Sequence, residues 1–113
     1  MTKFRRGDVI LVSFIFTDES GVKRRPAVII SSDTYHKGRD EAIIAAISSN
    51  TERMLVGDNL INDWQTSGLL FPSVATSIIR TIKHDMIAKK LGAMSTHDMA
   101  AIDMNLKLVL VLS

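Results

Sequence analysis

Three consecutive cations, Lys23-Arg24-Arg25, stand immediately before Pro26, where a polar stretch of this 113-residue chain enters an apolar one. A guanidinium fixed at such a junction presents a planar fork of donors that matches a phosphate. Side chains alternate faces along a strand, so Arg24 and Arg25 point to opposite sides: one can line a concave surface while the other stays in solvent. The same run also serves as an ordinary solubilising charge cluster. A second candidate follows Ala45-Ala46-Ile47, where Ser48-Ser49-Asn50-Thr51 places hydroxyl and amide groups at an apolar strand's end. Such groups can hydrogen-bond an anionic oxygen, and they equally make a common turn.

Other chemistries are excluded or left without support. There are no cysteines, which rules out disulfides, cysteine-based zinc or iron–sulfur sites and thiol catalysis. His36, His84 and His97 lie far apart without ligand spacing and read as surface or loop residues; neither a metal site nor a cofactor is expected. There is no Gly-rich phosphate loop and no GxSxG elbow. The carboxylate pairs Asp18-Glu19 and Asp40-Glu41 fall in polar stretches and read as solvated. Trp64, the single tryptophan, reads as an apolar plug at one end of the fold, with base stacking as the weaker alternative.

Apolar residues make up 46% of the chain and charged residues 23%, a globular composition at the length of one compact domain, 1–113. The net charge is only +2, but its distribution is uneven. Residues 1–39 hold eight basic and four acidic side chains; residues 40–113 hold six and eight. The N-terminal third is therefore the basic pole, able to steer a polyanion. No apolar run reaches the roughly 18 residues of a membrane span, and no signal peptide is legible, so a soluble cytoplasmic protein without membrane contact is expected.

The elements that must position these residues are mostly strands. Asp8–Phe16, Arg25–Ser32, Glu41–Ser49 and Val74–Ile82 are rich in β-branched and aliphatic residues, and 58–61 reads as a further short strand. The stretches 17–24 and 33–40 read as loops. Residues 63–70 read as one helical turn stopped by Gly68, and 83–90 is ambiguous with a weak helical pattern. Ser95-Thr96-His97-Asp98 has the shape of a capping box, and Met99, Ile102, Leu106 and Val109 recur at helical spacing, with Asp98 off that stripe. The residues 108–112 are apolar all round, which suits burial or a subunit contact. Five or six short strands followed by one helix predict a small, mostly antiparallel barrel or curled sheet.

This order of segments resembles the MazF/PemK toxins of bacterial toxin–antitoxin systems. The matching pieces are Arg6-Gly7-Asp8-Val9, Gly21, RRPAVIIS at 24–31, AAIS at 45–48, Trp64-Gln65 with Gly68-Leu69, Arg80-Thr81-Ile82, and Leu91-Gly92 with Ser95 before the helix. They cover nearly the whole chain, and the Gly-Asp opening and the Arg-Pro strand entry are the most specific. The resemblance implies an SH3-like barrel with a C-terminal helix, the architecture of MazF, PemK and CcdB, assembled as a two-fold homodimer. It implies a metal-independent endoribonuclease acting on single-stranded RNA, and a cognate antitoxin that blocks the RNA groove. Carried over by position, it implies Arg25 and Ser48 as catalytic residues, with Lys23, Arg24, Ser49 and Ser77 in contact with RNA. Ser48 stands where many members have threonine. Ala75 and Ser77 stand where some carry a carboxylate or an Arg-x-Asp pair, so the general base is unassigned. A binding-only toxin acting on a protein such as a gyrase, or a non-catalytic RNA-binding barrel, is the alternative.

Overall fold

The computed structural model describes residues 4–15 and 21–113. Strands β1 (Asp8–Ile15), β2 (Val22–Ile29), β3 (Glu41–Ser48), β4 (Asn59–Leu60), β5 (Val74–Lys83) and β6 (Ile87–Ala93) form one sheet in the order β4-β5-β3-β2-β1-β6. Every pairing in it is antiparallel. A one-turn helix α1 (Asp33–His36) joins β2 to β3, and α2 (Thr96–Leu110) closes the chain. This is the expected curled antiparallel sheet with a C-terminal helix. Phe16 and the Asp18-Glu19 pair lie outside the described residues.

The strands are apolar almost throughout because the sheet is covered on both faces. One face contributes Val9, Val28, Ala45, Ile47 and Ala75 to a core shared with Ile61, Leu69, Met94 and Ile102 of α2. The other contributes Ile10, Val12, Ala27, Ile29, Ile44 and Ile82, covered by Phe4, Phe14, Met86 and Ile87. Period-two alternation therefore separates two cores rather than a core from solvent.

Among the described residues, β4 and β6 at the two ends of the sheet do not pair. The segment 62–69 spans that gap. Its turn is held by N–H groups of Ser67 and Leu69 donating to the carbonyls of Asp63 (3.0 Å) and Trp64 (3.1 Å). Gly68 has φ +87°, and a Cβ there would lie 2.1 Å from the Leu91 carbonyl oxygen of β6; a Cβ on Gly92 would lie 2.5 Å from the Ser67 oxygen. Two glycines thus let the turn's backbone rest directly on the edge strand. Trp64 is half-buried and packs against the α2-side core, beside this closure.

Several elements differ from the sequence-based expectation. The second strand begins at Val22 and ends at Ile29, so the cation run lies within a strand and not at its entry. Pro26 pairs opposite Leu11 of β1, while the pairing of β2 with β3 starts only at Ala27, so the missing N–H falls where one side of β2 is unpaired. The 33–40 segment contains α1, capped by Ser32, whose Oγ accepts from the Tyr35 N–H. The ambiguous 83–90 segment is a single 3₁₀ turn followed by strand β6. Two register shifts against β1 break the two-residue period there, and this irregularity mimicked a weak helical pattern. Residues 63–70 hold helical-type hydrogen bonds but no regular helix.

Helix α2 starts as its capping signature requires, Ser95 Oγ accepting from the Asp98 N–H at 3.1 Å. Asp98 itself, expected off the apolar stripe, is 1% exposed. Its carboxylate accepts from the backbone N–H groups of Asn62 and Asp63, both at 2.9 Å, and so fastens the 62–69 turn to the helix. Within the chain, Leu108, Val109, Leu110, Val111 and Leu112 are exposed rather than buried.

Candidate functional site

Strand β2 fixes Arg25 through the β1 pairing, opposite Val12. The β2–β3 register pairs Ala27 with Ala46. Continued by two residues, it brings Arg25 level with Ser48, the last residue of β3. The two side chains line one cleft of about 590 Å³. Ser48 is held at the strand end by accepting the Asn50 N–H on its Oγ at 3.1 Å. Ser49 lines the cleft beside it. The floor is apolar, from Leu11, Pro26, Ile47, Leu69 and Leu91. A second cation, Lys89 of β6, reaches the same cleft.

This combination can bind a phosphodiester. Arg25 and Lys89 supply charge, Arg25 a donor fork, and two serine hydroxyls neutral donors, all above an apolar floor. Among the described residues lining it, none is a carboxylate or a histidine. The described residues therefore equip the cleft to stabilise negative charge, and none of them is a conventional proton acceptor.

The remaining sequence candidates are placed differently. Lys23 is exposed on β2 and, two residues from Arg25, shares its face. Arg24 is exposed and falls on the opposite face, outside the cleft. Ser77 lines a neighbouring hollow of about 370 Å³ together with Arg53, Asp58 and Thr76. Its Oγ donates to the Gly57 carbonyl at 2.8 Å. Ser48 lines both hollows, so Ser77 is a neighbour of the Arg25 cleft and not part of it. Lys89 escaped the sequence reading because 83–90 lacked a clear period. Read as a strand, Lys89-Lys90 alternate, and Lys90 Nζ turns instead to the buried Asp8 carboxylate at 3.2 Å.

The Gly7-Asp8 opening is structural. Gly7 has φ +93°, its N–H donates to Ile29 O and its carbonyl accepts from Met94 N, both at 2.8 Å, while Asp8 also accepts from Arg5 N–H at 2.8 Å. The histidines were expected on the surface, yet His36 is 2% exposed and its ring centroid lies 6.5 Å from that of His84. Both line a separate hollow of about 770 Å³ with Arg5, Asp33 and Lys37. Among the described residues no group of three His, Cys, Asp or Glu side chains could hold a metal ion. Burial pushes the His36 pKa below 6.5, Asp33 opposing that shift and His84 adding to it. Among the described residues no helix is long and apolar enough to cross a membrane.

A sequence profile of the PemK-like, MazF-like toxins of type II toxin–antitoxin systems matches residues 5–110. Similar solved structures include an endoribonuclease in complex with its cognate antitoxin from a Mycobacterial species, at 20% identity, 97% of each chain and a TM-score of 0.77. A MazE-MazF structure from Deinococcus radiodurans superposes over 100% of both chains at 14% identity with a TM-score of 0.83. Mycobacterium tuberculosis toxin MazF-mt6 does so over 92% of this chain and 98% of its own, at 18% identity and a TM-score of 0.71. At such identities the likeness shows the fold. Among curated protein sequences none matches.

Proposed function

The chain belongs to the PemK-like, MazF-like toxins of type II toxin–antitoxin systems, and on that premise we propose that it is an endoribonuclease that cuts single-stranded RNA in the Arg25 cleft. The observation that carries the reading is the joint placement of Arg25, Ser48, Ser49 and Lys89 on one apolar-floored cleft. The similar structures, an endoribonuclease and a MazF toxin among them, support the reaction class.

The reaction proposed uses the RNA's own nucleophile. The 2′ oxygen attacks the adjacent phosphorus, losing its proton, and the bond from phosphorus to the 5′ oxygen breaks. The leaving oxygen takes up a proton. The products are a 2′,3′-cyclic phosphate and a 5′-hydroxyl. Negative charge grows on the phosphoryl oxygens along this path, and Arg25 stabilises it with its positive charge and donor fork. Ser48 holds a non-bridging oxygen and fixes the in-line geometry. With no carboxylate or histidine among the described residues that line the cleft, charge stabilisation and orientation are the contribution assigned to them. No divalent metal takes part in this reaction. Purified protein incubated with single-stranded RNA in EDTA is expected to yield those two ends; RNA left intact at high enzyme concentration overturns the reading.

A non-catalytic RNA-binding barrel of the same fold needs no proton acceptor, and none lines the cleft among the described residues. Binding of RNA without cleavage, in the same assay, identifies that second reading. We further propose a cytoplasmic homodimer inhibited by a cognate antitoxin. An acidic antitoxin segment suits the cleft's cations and excludes RNA by occupying it. The dimer rests on exposed Met104 and Leu108, four residues apart on α2, and on the exposed apolar residues Val111 and Leu112 just beyond the helix end.

A further inference from the structure

One rim of the Arg25 cleft is built from the sequence Gly68-Leu69-Leu70-Phe71-Pro72-Ser73. Its two ends are pinned. Leu69 is buried at 8% exposure in the α2-side core, and the Gly68 backbone rests on Leu91 of β6. At the other end Ser73 is buried, its Oγ donates to the Phe71 carbonyl at 2.8 Å, and its own carbonyl accepts the Ile61 N–H at 3.0 Å. Between these anchors Leu70 is 83% exposed and Phe71 63% exposed. Pro72 has a fixed φ and narrows the loop further. A large aromatic ring is thus held in water, on the wall of a cationic cleft, by a backbone that keeps it from folding inward.

We propose that Phe71 is a base-stacking platform that seats one nucleotide of the single-stranded substrate beside the phosphate held by Arg25 and Lys89. This inference rests on the RNA-cleft reading above. Single-stranded RNA is gripped by two separable devices, cations that follow the backbone and aromatic faces on which unstacked bases lie. The cleft has the first device in Arg25 and Lys89 and the second in Phe71, all on one surface. An aliphatic ligand would be served by Leu70 alone and would have no use for the cations. Because a ring face reads stacking area rather than hydrogen-bond edges, the seat accepts any base.

The test is the affinity of a fluorescein-labelled, random-sequence single-stranded 12-mer RNA for the full chain, measured by anisotropy across a salt series. Phe71→Ala and Phe71→Leu are expected to weaken binding about tenfold, with Phe71→Tyr and Phe71→Trp within about twofold of the parent. The slope of affinity against salt is expected to stay unchanged in all four, and to fall only in Arg25→Ala and Lys89→Ala, which remove phosphate contacts. Phe71→Leu binding like the parent overturns the inference, because an apolar surface then suffices. So does a change in solution mass in Phe71→Ala, which marks the ring as a subunit contact. If the parent binds and cuts RNA while all four variants match it, the stacking platform falls and the RNA cleft stands. If the parent binds no RNA, both fall together.

Discussion

On the proposed mechanism, Arg25 and Ser48 divide the work of the cleft by charge. Arg25→Ala removes the group aimed at growing phosphoryl charge, and a loss of about 100-fold or more in cleavage rate is expected, by analogy with deleting an oxyanion donor. Ser48→Ala removes one neutral hydrogen bond, about 1 kcal/mol, and is expected to cost about tenfold. Single-turnover rates on one RNA check both, and an Arg25→Ala enzyme as fast as the parent contradicts the assignment. Away from the cleft, His36 makes the clearest pH prediction. Its Nε2 lies 2.5 Å from Ser31 Oγ, while its buried Nδ1 has no hydrogen-bond partner and sits 4.0 Å from Asp33 Oδ1. Burial holds the folded pKa below 6.5, the value of the free side chain, despite the attraction of Asp33. The unfolded chain therefore takes up the proton first as pH falls. Above pH 6.5 the group costs no stability; below it, stability falls by up to about 1.4 kcal/mol per pH unit until the folded pKa is reached. Denaturant unfolding at pH 7.5 and 5.5 is expected to show a steeper loss in the parent than in His36→Gln, and equal losses contradict the account.

At the scale of elements, the turn 62–69 is the part on which the cleft depends, since it carries the Phe71 rim and closes the gap between β4 and β6. Gly68→Ala places a Cβ at 2.1 Å from Leu91 O in a backbone of positive φ, and a destabilisation of about 2 kcal/mol or more is expected. Asp98→Ala strips the acceptor from two backbone N–H groups and is expected to cost a similar amount, with Asp98→Asn intermediate because it keeps one acceptor. Unfolding midpoints measure both; a Gly68→Ala protein as stable as the parent contradicts the contact. The elements were legible in proportion to their regularity. Strands β1, β3 and β5 announced themselves as β-branched runs, and α2 by Ser95 and its stripe. Strand β6 was hidden because two register shifts remove the alternation, and with it went Lys89. The burial of His36 and Asp98 was illegible for another reason: their partners, Ser31 and the Asn62-Asp63 backbone, are supplied by segments whose approach only the tertiary fold sets. Arg25 and Ser48 stood out as candidates because a cation run before Pro26 and a serine pair after an apolar run are local signals. Their meeting required the β2–β3 register.

At the scale of the whole molecule, the basic N-terminal third and the apolar end of α2 face different tasks. On the proposed reading the first serves the cleft and the second assembly. Light scattering at micromolar concentration is expected to give twice the chain mass, and Leu108→Asp is expected to halve it while leaving the fold intact, since Leu108 is 62% exposed within the chain. A parent protein of single-chain mass contradicts the dimer. The central claim concerns the whole molecule acting on RNA, and one measurement tests it most directly. A single-stranded RNA that the protein cuts is compared with the same RNA carrying a 2′-deoxy sugar at the scissile step, both in EDTA, with product ends identified by mass. The account predicts a cyclic phosphate and a 5′-hydroxyl from the first RNA, and binding without cleavage of the second. Cleavage of the deoxy-substituted strand at the parent rate would contradict it.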